Sequence, residues 1–115
     1  MEAAGDVAAR FAAVVDAFAG EPDVEPPRPG GRGFGARALR ARGSIFAMLD
    51  VYGRYVVKVG PDRTSELVES GAGAPFDNGR GRVMRGWVVV GEEQDWPAFA
   101  REARAFVGGG ASRGQ

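Results

Sequence analysis

The sequence predicts an α+β domain with the element order α-β-β-β-α-β-β-α. Three observations carry that prediction. Apolar residues recur at helical spacing near both ends of the chain. Runs rich in Val, Ile, Phe and Tyr come in blocks, one of them strictly alternating. Gly and Pro punctuate the intervals. Strands in blocks with helices between them argue α+β rather than a βαβ wind. The 115 residues make one domain. A chain of this size buries roughly two-thirds of its unfolded surface, enough for one core without staples.

Residues 1–19 form the N-terminal segment. There Val7, Phe11, Val14, Val15 and Phe18 fall on one stripe and predict a helix over 3–19. That stripe has to dock on the later core, because an isolated helix of this length is marginal in water. Residues 20–35 hold Pro22, Pro26, Pro27 and Pro29, then Gly30, Gly31, Gly33 and Gly35. They predict an extended connector, since such density defeats a helix or a central strand.

The domain proper is expected over 36–107. Residues 37–42 read as a short strand ending at Gly43. Ile45 to Leu49 is continuously apolar, which suits a strand covered on both faces. Asp50 to Arg54, with Gly53, reads as a hairpin turn. Arg54 to Val59 alternates, with Tyr55, Val57 and Val59 on one face. Pro61 opens the next helix at a first-turn position, and Gly71 ends it. Pro75 to Gly81 reads as loop, with a tight turn at Asn78-Gly79. Val83-Met84 and Trp87 to Val90 read as the last two strands. The final helix starts with Asp95 or Trp96 at its cap and sets Trp96, Phe99, Ala103 and Phe106 on one stripe. Gly108-Gly109-Gly110 ends it, and residues 108–115 are expected as a disordered tail.

Composition excludes several chemistries. Cysteine and histidine are both absent. That removes disulfides, thiol catalysis, thiolate and imidazole metal sites, and serine–histidine triads. No cofactor and no metal are expected. Net charge is zero, yet its distribution is uneven: residues 1–27 sum to −5, residues 28–63 to +6 and residues 64–115 to −1. A basic middle marks an anionic partner or pairs with the acidic start of the same chain. No apolar run reaches membrane-spanning length, no signal pattern opens the chain, and the expected compartment is the cytoplasm.

Other patterns dissolve on inspection. Gly31 to Ala36 fits G-x-G-x-x-A, but a Pro-rich connector precedes it and a strand follows, so the dinucleotide context is missing. Asp77-Asn78-Gly79 lacks the spaced ligands and terminal Glu of a calcium loop. Glu92-Glu93 precedes a helix, where negative charge is favourable.

The informative constellation is on the sheet. With Leu39 facing the core, Arg40 and Arg42 face outward. With Tyr55 and Val57 facing the core, Arg54 and Lys58 face outward. In a meander these four cations share one face, with Val56 between them. Lys58 is the only lysine beside fourteen arginines.

These residues also resemble a family. Gly43-Ser44-Ile45-Phe46-Ala47-Met48-Leu49, then Val56-Val57-Lys58-Val59, is similar to the N-terminal domain of TfoX-type competence regulators. The similarity continues through Leu67-Val68-Glu69-Ser70-Gly71, Pro75-Phe76-Asp77 and Arg82-Val83-Met84 to Trp87-Val88. It extends to the related MmcQ/YjbR group of small bacterial proteins and covers roughly residues 33–107. The resemblance implies a five-stranded antiparallel sheet with helices packed on it, YjbR- or secretion-chaperone-like. It implies no enzymatic activity and offers no catalytic residues. It links the domain to regulation of DNA uptake and, in relatives, to proposed DNA binding. The chain departs from the pattern at Ser44, where members often have Lys, and lacks the C-terminal helical domain of full-length regulators.

The expected function is a non-enzymatic regulatory or protein-interaction module, with a homodimer or a protein partner on the open sheet face. The alternative is nucleic-acid binding through Arg40, Arg42, Arg54 and Lys58. An enzyme comes last; it would rely on Tyr52, Tyr55 and Lys58 near one hairpin. No membrane contact is expected.

Overall fold

The computed structural model describes residues 3–27, 37–50, 52–77 and 81–109. Among them the fold is α+β, with three helices and an open antiparallel sheet. The elements are α1 (Ala3–Ala17), β1 (Val24–Glu25), β2 (Ala38–Ala41), β3 (Ser44–Leu49), β4 (Tyr55–Lys58), α2 (Pro61–Ser70), β5 (Gly73–Asp77), β6 (Val83–Val90) and α3 (Trp96–Arg104). Strand order across the sheet is β1-β2-β3-β4-β6-β5, with every neighbouring pair antiparallel.

Side chains from all three helices enter one core with one face of the sheet. Phe11, Val14 and Phe18 of α1 meet Leu39, Phe46, Tyr55 and Val57 from the strands. Leu67 of α2 joins Val88 and Val90, and Trp96, Ala100 and Ala103 come from α3. Aromatic rings order this core. Trp96 stacks on Tyr55 at 4.3 Å between centroids, and Phe18 meets Phe46 edge-on at 5.4 Å. The Tyr55 hydroxyl donates to the Trp96 carbonyl at 2.9 Å, so the one polar atom on that buried ring is satisfied.

Local chemistry accounts for the helix ends. Pro61 stands in the first turn of α2 behind Gly60, and Gly71 closes it in the left-handed region at φ +85°. Asp95 caps α3 by accepting from the Ala98 amide at 3.0 Å. Arg10 pins α1 to the start of α3. Its guanidinium lies 4.1 Å above the Trp96 ring and donates to the carbonyls of Glu92 and Gln94. Arg63 joins α2 to α3 through Glu102 at 2.6 Å.

Four expectations need correction. The described sheet has six strands, not five. The additional strand, β1, forms inside the expected connector; two residues pair with Ala41 and Arg40 at the edge of the sheet, where flanking prolines are tolerated. The stretch from Pro75, expected as loop, belongs to β5, which pairs with β6 as the opposite edge. Val83 to Val90 is one strand rather than two. The last helix continues past Arg104 as a π-helical turn, Ala105–Gly109, and Phe106 is 41% exposed while Ala100 takes its place in the stripe. The Asn78-Gly79 turn, the G-x-G-x-x-A stretch, residues 28–36 of the connector and residues 110–115 of the tail lie outside the described residues.

The other face of the sheet carries a second, smaller cluster. Ala38, Met48, Val56 and Phe76 are buried there, with Ile45, Met84, Trp87 and Val89 half-buried around them. Among the described residues no helix lies in this cluster.

Candidate functional site

Alternation on β4 sorts its side chains between the two clusters. Tyr55 and Val57 enter the helix-covered core, so Arg54, Val56 and Lys58 fall on the other face. On β2, Leu39 and Ala41 enter the core and Arg40 lies opposite Ile45. Arg40, Arg54 and Lys58 therefore share the face of the smaller cluster. At sheet spacings, Arg54 and Lys58 stand about 13 Å apart along one strand, and Arg40 is two strands away, roughly 10 Å.

Arg54 is held by its own turn. The Asp50 carboxylate accepts from the amides of Tyr52 and Arg54 at 2.9 and 2.8 Å and from Arg54 Nε at 2.7 Å. Asp50 thus builds the turn and neutralises the cation it presents. The Arg54 guanidinium then lies 5.3 Å from the Phe76 ring and 5.4 Å from Tyr52, which is 73% exposed. Lys58 is in register with Trp87 on β6, and its Nζ sits 5.8 Å from that ring. Both contacts place a cation on the face of an aromatic ring. Phe76 and Trp87 are themselves 6.4 Å apart.

Arg42 is not on this face. It occupies the β2–β3 turn at φ +53°, followed by Gly43 at φ +86°, and pairs with Asp23 at 3.5 Å. A turn with two positive φ values matches strand twist but breaks the alternation that placed Arg42 beside Arg40. Arg104 also reaches Asp23 and Glu21. In these pairs the basic residues meet the acidic start of the chain.

Tyr52, Tyr55 and Lys58 do not converge. Tyr52 is at the exposed turn, Tyr55 is in the core and Lys58 is on the opposite face. Burial drives the Tyr55 phenol far above its ordinary pKa, with Asp95 pushing the same way and Arg10 opposing. A phenol so placed does not exchange protons near neutrality.

The aromatic partners of the cations were not visible as site residues in the sequence. Trp87 and Phe76 reach Lys58 and Arg54 only through strand pairing across β4, β6 and β5. Asp50 did carry a signal, because an Asp opening a Gly-containing turn is placed to bind backbone amides two and four residues on.

Among the described residues no group of three acidic side chains is arranged to hold a metal ion, and no helix is long and apolar enough to cross a membrane. Comparison with protein-family models, with curated proteins and with solved structures finds no match to this chain.

Proposed function

We propose that this chain is a non-enzymatic binding domain of the TfoX N-terminal-like kind its sequence resembles, and that it engages a protein partner through the sheet face opposite its helices. One observation carries this reading. That face combines half-buried Ile45, Trp87 and Val89 with cations laid on aromatic rings, Arg54 on Phe76 and Lys58 on Trp87. Aromatic and Arg side chains around an apolar centre are the composition of protein interfaces. The rim is cationic, so the fitting partner presents an apolar strip flanked by carboxylates. A second copy docked face to face sets the same cations against each other, which disfavours it.

Nucleic acid is the weaker reading because two of the four candidate phosphate ligands already meet carboxylates, Arg42 with Asp23 and Arg54 with Asp50. Four phosphate contacts imply a log–log salt slope of about −3.6 on duplex DNA, and two imply about −1.8.

A photo-crosslinking amino acid at Ile45 or Val89, with Ala98 on exposed α3 as control, tests the proposal in cells. The expected result is one protein adduct from the sheet-face positions only. Adducts equal at Ala98, or adducts to nucleic acid, overturn it. Sedimentation velocity completes the test: self-association abolished by Ile45→Glu makes the partner a second copy and refutes the charge argument.

A further inference from the structure

Over one interval β6 outgrows its neighbour. The β5–β6 register passes from Pro75↔Val88 to Asp77↔Val83, so β6 carries three more residues than β5 there. The excess bends β6 away from the edge strand. Between this bend and α2 lies a cleft of about 250 Å³. Its walls are apolar: Val68 of α2, Pro75 of β5, and Val83, Met84 and Trp87 of β6. Thr64 also lines it. That residue is only 8% exposed, and its hydroxyl finds no hydrogen-bond partner. Unpartnered buried hydroxyls are rare in native proteins, so this one calls for an explanation that a polar ligand would supply. Two exposed side chains of opposite charge complete the lining, Glu69 and Arg85. Neither is ion-paired among the described residues.

We infer that this cleft binds a free apolar amino acid, an aromatic one by size, with its side chain between α2 and β6, its carboxylate at Arg85 and its ammonium at Glu69. The volume is below that of a drug-sized pocket and holds a molecule of about a dozen non-hydrogen atoms. The lining charges select a zwitterion, since a simple acid would face Glu69 and a simple amine would face Arg85. A peptide fits less well. The Gly91 amide donates to the Ala72 carbonyl, so the ladder bonds of β5 fall at Ala72 and Ala74. That phase turns the nitrogen of Pro75 to the outer edge, where it offers no donor to an added strand. The site goes beyond the partner-binding reading and shares only Trp87 with that face.

The test is titration of the full chain with L-phenylalanine, followed by the Trp87 indole resonance and the Val68 and Val83 methyls in heteronuclear NMR spectra. L-Phenylalaninamide and N-acetyl-L-phenylalanine are run in parallel; they carry the charge of a peptide's N-terminal and C-terminal residue respectively. A ligand this small binds in the millimolar range or somewhat tighter. The expected order is phenylalanine tightest, with each derivative weaker by about two- to fivefold. Arg85→Gln abolishes the preference over the amide, and Glu69→Gln abolishes the preference over the N-acetyl compound. Both residues are exposed, so the variants fold. No shift at these resonances with 10 mM phenylalanine (roughly the upper end of that range), equal binding of a derivative, or a preference that survives both substitutions overturns the proposal.

Discussion

Replacing Tyr55 by Phe removes one hydroxyl from the core and leaves the ring stacked on Trp96. The lost bond is the 2.9 Å contact to the Trp96 carbonyl. That carbonyl lies in the first turn of α3 and retains its place in the helical ladder, so the substitution vacates only part of its capacity. The expected cost at pH 8 is about 1 kcal/mol. The sign changes at high pH. Burial, reinforced by Asp95 and opposed by Arg10, keeps the folded-state phenol protonated far above its ordinary pKa of 10.0. The unfolded chain releases that proton above pH 10 while the folded chain keeps it. Stability contributed by Tyr55 is therefore intact below about pH 10 and falls by about 1.4 kcal/mol per pH unit above it. At pH 11 that loss exceeds the benefit of the hydrogen bond. The two proteins should be equally stable between about pH 10.5 and 11, with Tyr55→Phe the more stable beyond. Urea unfolding followed by tryptophan fluorescence reads both curves, and titrations common to the two proteins cancel. A difference that stays constant from pH 8 to pH 11 refutes the reasoning.

Three further outcomes are expected. Thr64→Val removes a buried hydroxyl without a partner and should raise stability by about 1 kcal/mol, read from the urea midpoint. Gly60→Ala imposes a side chain at φ +92°, with its Cβ 2.8 Å from the Phe106 ring, and should cost about 2 kcal/mol; adding Phe106→Ala should recover the contact but not the backbone strain. Arg10→Met keeps an apolar stem on Trp96 but loses the donors to Glu92 and Gln94, so amides of α1 should exchange about tenfold faster while those of β3 and β4 change less.

Much of the candidate site was legible as alternation. Tyr55 and Val57 on one side dictate Arg54 and Lys58 on the other, because side chains of a strand alternate whatever its neighbours are. The same rule failed for Arg42, which lies one residue past β2 in a turn with its own dihedral angles. It also said nothing about what the cations rest on. Trp87 under Lys58 and Phe76 under Arg54 are products of register, and register involves strands distant in sequence.

Local chemistry therefore determined the elements whose signals are local. Pro61 and Gly71 bound α2, Asp95 caps α3, and the stripe of Phe11, Val14 and Phe18 requires α1 to dock. The tertiary structure decided the rest. The Gly-Ala-Pro opening of β5 has little strand propensity, and β1 is two residues among prolines. Both exist because a neighbouring strand satisfies their backbone groups at the sheet edge. Phe106 leaves the stripe because the last helix widens into a π-helical turn, which rotates later side chains off the core. Patterns within one element follow from backbone geometry and could be read from the chain. Pairing, clefts and neutralised charges depend on which distant segments meet, and only the assembled core sets that.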